Sequence, residues 1–173
     1  MTVAVRPEAA EVPAGYAGYV GKVRDGEDLL TLMQSQLEEV PAAFGRFPEA
    51  RGGYRYASGK WSVKELVGHL SDVERIFCYR ALRFARRDPT ALPGFDENAY
   101  APAMEADDRR LADLVEEWLD VRRATLSFLH GLPAEAWTRR GIANGKEISV
   151  RALAYAIAGH VRHHLEVLAE RYR

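Results

Sequence analysis

Apolar residues recur at the three-and-four spacing of an amphipathic helix in four separate stretches of this chain. In the first, residues 27–44, Leu29, Leu30, Leu32, Met33, Leu37 and Val40 follow the helical period, and Pro48 with the Gly52-Gly53 pair closes the segment. The second has the clearest start. Ser62 is placed as an N-cap, Glu65 three residues on completes a capping box, and Trp61 just before the cap can staple onto Leu66. Val63, Leu66, Leu70, Val73, Phe77, Leu82 and Phe84 carry the helical spacing to residue 87, and Asp88-Pro89 ends it. The third covers residues 108–130, with Leu111, Leu114, Val115, Trp118, Leu119, Val121, Leu126 and Leu129, and stops at Gly131 and Pro133. Ser149 caps a fourth that runs to residue 172.

The connections differ in kind. Residues 1–25 carry Pro7, Pro13, Gly15, Gly18 and Gly21 and few large aliphatics, which predicts an extended N-terminal arm with Tyr16, Tyr19 and Val20 as anchors onto the body. Residues 89–107, with Pro93, Gly94 and Pro102, form a long connection of the sort that is often functional or packs over something. Asn144-Gly145, inside residues 141–148, suits a tight hairpin turn. No internal repeat or second-domain boundary interrupts the pattern. The expected fold is all-α: a four-helix bundle over residues 26–173, preceded by the arm.

Composition narrows the function classes. The 173 residues are 47% apolar and 28% charged, with a formal net charge of −1, as in an ordinary soluble globular domain. That balance gives no electrostatic reason to bind nucleic acid or an acidic membrane, and acidic neighbours offset the cluster Arg83, Arg86 and Arg87. Cys78 is the single cysteine, so neither an intrachain disulfide nor a cysteine-rich zinc motif can form. No basic segment followed by an apolar run marks a secretory signal, and no stretch approaches the ~18 apolar residues of a membrane span. A cytoplasmic protein with no membrane and no nucleic-acid partner is expected.

Candidate chemistry lies in the histidines. Residues four apart on a helix are rotated by about 40° and rise by about 6 Å, so His160 and His164 share a face. Val150, Leu153, Ile157, Val161 and Leu168 define the core stripe there; His164 falls inside it and His160 at its edge. His163 turns away by roughly 60° from His160. His69 lies at the edge of the stripe marked by Leu66, Leu70, Val73 and Phe77. Two facing helices can thus gather three imidazoles, and three protein ligands leave coordination positions for water or substrate. Hydrogen-bonded packing histidines fit the same positions, because spacing does not fix the register between helices. Asp72, one turn after His69, could orient an imidazole or act as a base; the plainer alternative is a surface carboxylate paired with an arginine. Glu74, on the other flank, suits a structural pair with an arginine of a neighbouring element. Arg162 and Glu166 read as a solvated pair, and His130 as a helix-terminal residue without chemistry. Phe95, Tyr100 and Trp61 are candidates for a pocket mouth, with core packing the safer reading. Cys78 points about 180° away from His69.

The segment Trp61-Ser62-Val63-Lys64-Glu65-Leu66-Val67-Gly68-His69-Leu70, with Asp72 and Glu74-Arg75, resembles the second helix of DinB-like proteins, and Ala158-Gly159-His160-Val161-Arg162-His163-His164-Leu165 resembles their closing helix. Arg80-Ala81-Leu82, Gly94-Phe95-Asp96 and Gly141-Ile142-Ala143-Asn144-Gly145 match as well, so the resemblance spans residues 18–172. It implies a DinB/YfiT-like four-helix bundle of up-down-down-up order, often dimeric. It also implies a divalent metal held by three histidines, here His69, His160 and His164 by motif position. Nickel and zinc come first, with manganese and iron also in range. Relatives include bacillithiol transferases and mycothiol-dependent maleylpyruvate isomerase, where the metal activates a cofactor thiol, and others assigned hydrolase activity. The resemblance therefore implies a metal-dependent enzyme acting on a small-molecule substrate, either a low-molecular-weight-thiol-dependent S-transferase or a hydrolase, working as a homodimer. The alternative is a non-catalytic metal-binding stress-response protein in which the metal braces the bundle. An open pocket beside the histidines would favour the enzyme, and a sealed site the brace.

Overall fold

Each of the four amphipathic stretches folds as a long helix in the computed structural model, which describes residues 5–173. In chain order the helices are α1 (Ala14–Val20), α2 (Leu29–Phe44), α3 (Val63–Ala85), α4 (Glu97–Ala103), α5 (Leu111–His130) and α6 (Val150–Arg171). The capping box predicted for α3 is present: the Ser62 hydroxyl accepts from the Glu65 N–H, and the Glu65 carboxylate accepts from the Ser62 N–H. Ser149 caps α6 by accepting from the Ala152 N–H, and Asp28 caps α2 by accepting from the Thr31 N–H. Caps of this kind each stabilise a helix by about 1 kcal/mol.

Two short helices stand where the sequence pattern predicts none. Part of the expected arm, Ala14–Val20, is α1, which packs on α6; residues 1–4 of that arm lie outside the described residues. Glycine propensity argues against a helix there, but Tyr16 and Val20, one turn apart, are both buried in the core, and tertiary packing overrides propensity. The long connection after α3 contains α4, started by Asp96, whose carboxylate accepts from the Asn98 and Ala99 N–H groups. Pro102 falls in its last turn. The hairpin appears as predicted: β1 (Arg140–Ala143) pairs antiparallel with β2 (Lys146–Ser149) across Asn144 and Gly145, both at positive φ (51° and 70°). Leu92 extends its edge, donating to the Ile142 carbonyl at 2.9 Å and accepting from the Asn144 N–H at 3.0 Å.

α2 and α3 each pack against both α5 and α6. The core divides into two apolar halves. One gathers Leu29, Met33, Phe84, Leu129 and Leu153; the other gathers Val40, Phe44, Leu66, Trp118 and Leu168. A buried polar network joins the four long helices between them. Arg122 on α5 donates through Nε and Nη2 to the two Glu74 oxygens on α3, at 2.7 and 2.8 Å. Its Nη1 donates to Gln36 Oε1 at 2.6 Å and to the Met33 carbonyl at 3.2 Å, both on α2. Gln36 Nε2 in turn donates to the Ala158 carbonyl on α6 at 2.9 Å. Glu74 thus has the arginine partner expected for it.

Breaking one side of a buried pair leaves a charge without compensation. The Glu74→Gln variant is therefore expected to lose about 3–5 kcal/mol of unfolding free energy in urea titration. A second ion pair ties the N-terminal segment to the start of α6. Arg151 Nε donates to the buried Glu11 carboxylate at 2.7 Å, and the Arg151 guanidinium holds that carboxyl at about 2, well below its ordinary 4.5. A depressed carboxylate contributes stability above its unfolded-state pKa and loses it as pH falls toward the folded value. Stability is expected to fall between pH 4.5 and about 2 by on the order of 3 kcal/mol from this group, and Glu11→Gln should flatten that part of the stability–pH curve.

Candidate metal centre

α3 carries His69 and α6 carries His160 and His164 to one place in the bundle. All three are buried, and one ligand atom from each lies within 4.8 Å of the others. Ring centroids are 4.9 Å apart for His69–His160 and His69–His164, and 4.4 Å for His160–His164. The Nε2 atoms of His69 and His160 face each other at 3.0 Å, while His164 Nδ1 is buried with no hydrogen-bond partner among the described residues. His163 is half-buried and outside the cluster, with its ring near Tyr19. The three positions that helix geometry singles out are thus the three that the structure brings together.

Burial sets the charge state. Desolvation is the largest cause in each case: it lowers His69 from 6.5 to about 4, His164 to about 2, and His160 well below its ordinary value. The imidazoles are neutral near pH 7 and keep lone pairs to donate. Nitrogens on a shared tetrahedral ion sit about 3.3 Å apart for metal–nitrogen bonds of ~2.0–2.1 Å, close to the facing Nε2 pair. An all-imidazole set with one unpartnered buried nitrogen is a donor set that suits a divalent cation such as zinc or nickel.

The cluster opens on a cavity of about 380 Å³. Tyr16 and Tyr19 of α1 wall it on one side, and Trp61, Phe77 and Phe95 supply aromatic surface. Trp61 lies 4.3 Å from the His69 ring, and Tyr19 meets His160 edge-on at 5.0 Å. Asn144 reaches the cavity from the hairpin turn and Glu97 from the start of α4. A larger groove of about 780 Å³ runs beside α2 and the end of α5, and none of the three histidines lines it.

Asp72 does not join this site. It is half-buried, 3.8 Å from Arg75, which bridges onward to Glu117 at 2.7 Å, and it does not line the cavity. Burial, the largest cause, raises its pKa, against the lowering effect of Arg75. Phe95 and Trp61 line the cavity; Tyr100 is exposed and does not line it, its ring centroid 5.6 Å from that of Phe95. Arg80 also lines it, and the sequence pattern did not single it out. The signal was present: eleven residues at about 100° each return Arg80 to within about 20° of His69 on the same helix face.

The DinB superfamily model matches residues 32–168. The chain belongs to the DinB superfamily. Among solved structures, it superposes on YfiT from Bacillus subtilis, described as a probable metal-dependent hydrolase with an unusual four-helix bundle topology. The TM-score is 0.73 at 19% identity, covering 87% of this chain and 89% of that one. The mycothiol-dependent maleylpyruvate isomerase matches with a TM-score of 0.68 at 14% identity, over 81% of this chain but only 59% of the isomerase. Likeness at these identities establishes the shared fold. No curated protein matches the sequence. Among the described residues, no helix of this DinB superfamily member is long and apolar enough to cross a membrane.

One glycine fixes the cavity wall. A Cβ on Gly159 would lie 1.8 Å from the Tyr19 carbonyl oxygen, so α1 can sit on α6 beside His160 only because position 159 has no side chain. The Gly159→Ala variant is expected to lose about 1–3 kcal/mol and to loosen α1 selectively. Hydrogen exchange checks this: α1 amides should exchange faster while those of α5 are unchanged.

Proposed function

We propose that this chain is a divalent-metal-dependent enzyme in which His69, His160 and His164 hold the ion and the adjoining cavity receives a small-molecule substrate. The observation that carries this is the neutral, buried imidazole trio opening on a cavity of about 380 Å³. A metal that only braced the bundle would need no such opening, so the cavity favours catalysis over the non-catalytic alternative. When bound, a divalent ion supplies Lewis-acid chemistry and makes a water or thiol proton easier to remove.

The residues around it have separate tasks. The trio supplies three uncharged donors, leaving the ion's charge available to the substrate side. Trp61 tilted against His69, and Tyr19 edge-on to His160, restrict ring orientation and keep bulk water off the buried faces. Glu97, the carboxylate that lines the cavity, replaces Asp72 as the group placed to accept a proton. The cavity volume lies near the lower end of the roughly 300–1,000 Å³ that accommodates one small ligand. That favours hydrolysis, with water as nucleophile, over S-transfer, which needs a thiol and a co-substrate side by side. The likeness to a mycothiol-dependent isomerase keeps the thiol reaction as the second reading.

The same proposal includes the up-down-down-up helix order. It is supported by one core half gathering the start of α2, the end of α3, the end of α5 and the start of α6, while the other half gathers the opposite ends. It also includes a cytoplasmic homodimer, on the grounds of the family resemblance and the single cysteine.

Purified protein is expected to carry about one zinc or nickel ion per chain, for a single three-histidine site. Metal analysis should show this stoichiometry lost in His164→Ala and kept in His163→Ala; stoichiometric metal in His164→Ala would sink the assignment. An activity screen on the loaded protein, with ester and amide substrates and separately with cellular thiols plus an electrophile, then separates hydrolysis from S-transfer.

A further inference from the structure

Arginine is buried twice in this bundle, as Arg80 and as Arg122, and the two are treated differently. Arg122 is neutralised by the bidentate Glu74 carboxylate. Arg80, 3% exposed, donates through Nη1 to the Tyr16 hydroxyl at 2.9 Å and through Nη2 to the Pro93 carbonyl at 2.7 Å, both uncharged acceptors. Among the described residues no carboxylate pairs with it, and those two bonds leave other N–H donors of the guanidinium free. Phe77 and Phe95 flank it, their ring centroids 5.8 and 5.6 Å from the guanidinium carbon. These contacts hold the group in place without cancelling its charge.

A buried, uncompensated cation is costly, by several kcal/mol once removed from water. Arg80 lines the cavity that holds the three histidines, and those histidines are neutral. Glu97, the lining carboxylate, does not pair with it. The missing negative charge is therefore one that the cavity can admit. A guanidinium with fixed orientation and spare N–H groups matches the planar geometry of a carboxylate, and an apolar track beside it suits the body of a small organic acid. Between Arg80 and His69 on α3 lie Val73 and Phe77, which offer an apolar track to the body of a ligand anchored at one end.

We propose that Arg80 binds the carboxylate of a small anionic substrate, whose apolar or aromatic body lies along Val73 and Phe77 with its reactive end toward the histidines. This rests on the cavity being the substrate site, and it narrows the substrate class to small carboxylates. Arg80 is a binding residue in this scheme and takes no part in bond making.

The test uses the full chain after chelator treatment, titrated with benzoate and with its neutral counterpart benzamide. Benzoate is expected to bind at least about tenfold more tightly, in line with one charge-assisted contact. Arg80→Gln should reduce benzoate to the benzamide level, and Arg80→Lys should restore part of the difference. If Arg80→Gln does not fold, the wild-type Arg80 Nε–H signal in ¹⁵N NMR gives the same answer, since it should shift with benzoate and not with benzamide. Equal affinities in the wild type, a benzoate preference that survives Arg80→Gln, or an unmoved Arg80 signal overturns the proposal. Because chelated protein is used, the outcome is independent of metal binding. A benzoate preference in protein that never takes up metal removes the metal reading alone, and full metal loading without the preference removes the anion site alone.

Discussion

A cation in the middle of a helix bundle must be neutralised where it stands, and Arg122 imposes that condition on every long helix. Its guanidinium needs the Glu74 carboxylate from α3 and the Gln36 amide and Met33 carbonyl from α2. The Gln36 amide nitrogen donates in turn to the Ala158 carbonyl of α6. Apolar packing alone tolerates small slides of one helix along another; a connected set of buried hydrogen bonds does not, because each slide strands a polar group. The network lies between the two apolar halves of the core and sets the register of α3 against α6. His69 is five residues from Glu74, and His160 is two from Ala158. The meeting of the imidazoles thus follows from the polar layer.

The centre combines opposite demands. Three uncharged, desolvated imidazoles face one another, which costs hydration, and one side still opens on a cavity. The cost is met by position, at the boundary between the two core halves, with Trp61 and Tyr19 covering the flanks. The opening is bordered by the shorter elements: the start of α4, the hairpin turn at Asn144 and the short α1. The long helices α3 and α6 hold the histidines, and the shorter elements help shape the opening.

Much of this was legible in the sequence. The capping box at Ser62 and Glu65, the Ser149 cap, the Asn144-Gly145 turn and the four periodic stretches are local chemistry, and local chemistry is written locally. The choice of His69, His160 and His164 over His163 followed from helical rotation, though whether they met depended on an inter-helix register that no spacing encodes. α1 is hidden in the sequence because its glycines weaken helix propensity while Tyr16 and Val20 are fixed by burial against distant residues. α4 was masked by the prolines and glycine around it. Asp72 lies a turn of about 60° from His69, beside Arg75 and off the cavity lining, a placement that depends on how α3 is rotated against its neighbours. Arg80 carries no sequence signal of its burial because arginine on a helix is ordinarily solvated, and only the fold shows it buried without a carboxylate partner among the described residues.

The short helix α1 has a further consequence. The family model begins at residue 32, after Ala14–Val20, so the stretch that supplies Gly15, Tyr16 and Tyr19 to the cavity lies outside the matched region, whereas all three histidines lie inside it. The three histidines and the one side of the cavity formed by α1 are therefore encoded in separable parts of the chain. Changes in the leading segment can reshape what the cavity accepts without touching the scaffold that holds the donors, provided position 159 stays small enough for a backbone to rest on it. In this architecture, one side of the cavity can drift while the histidine cluster stays fixed.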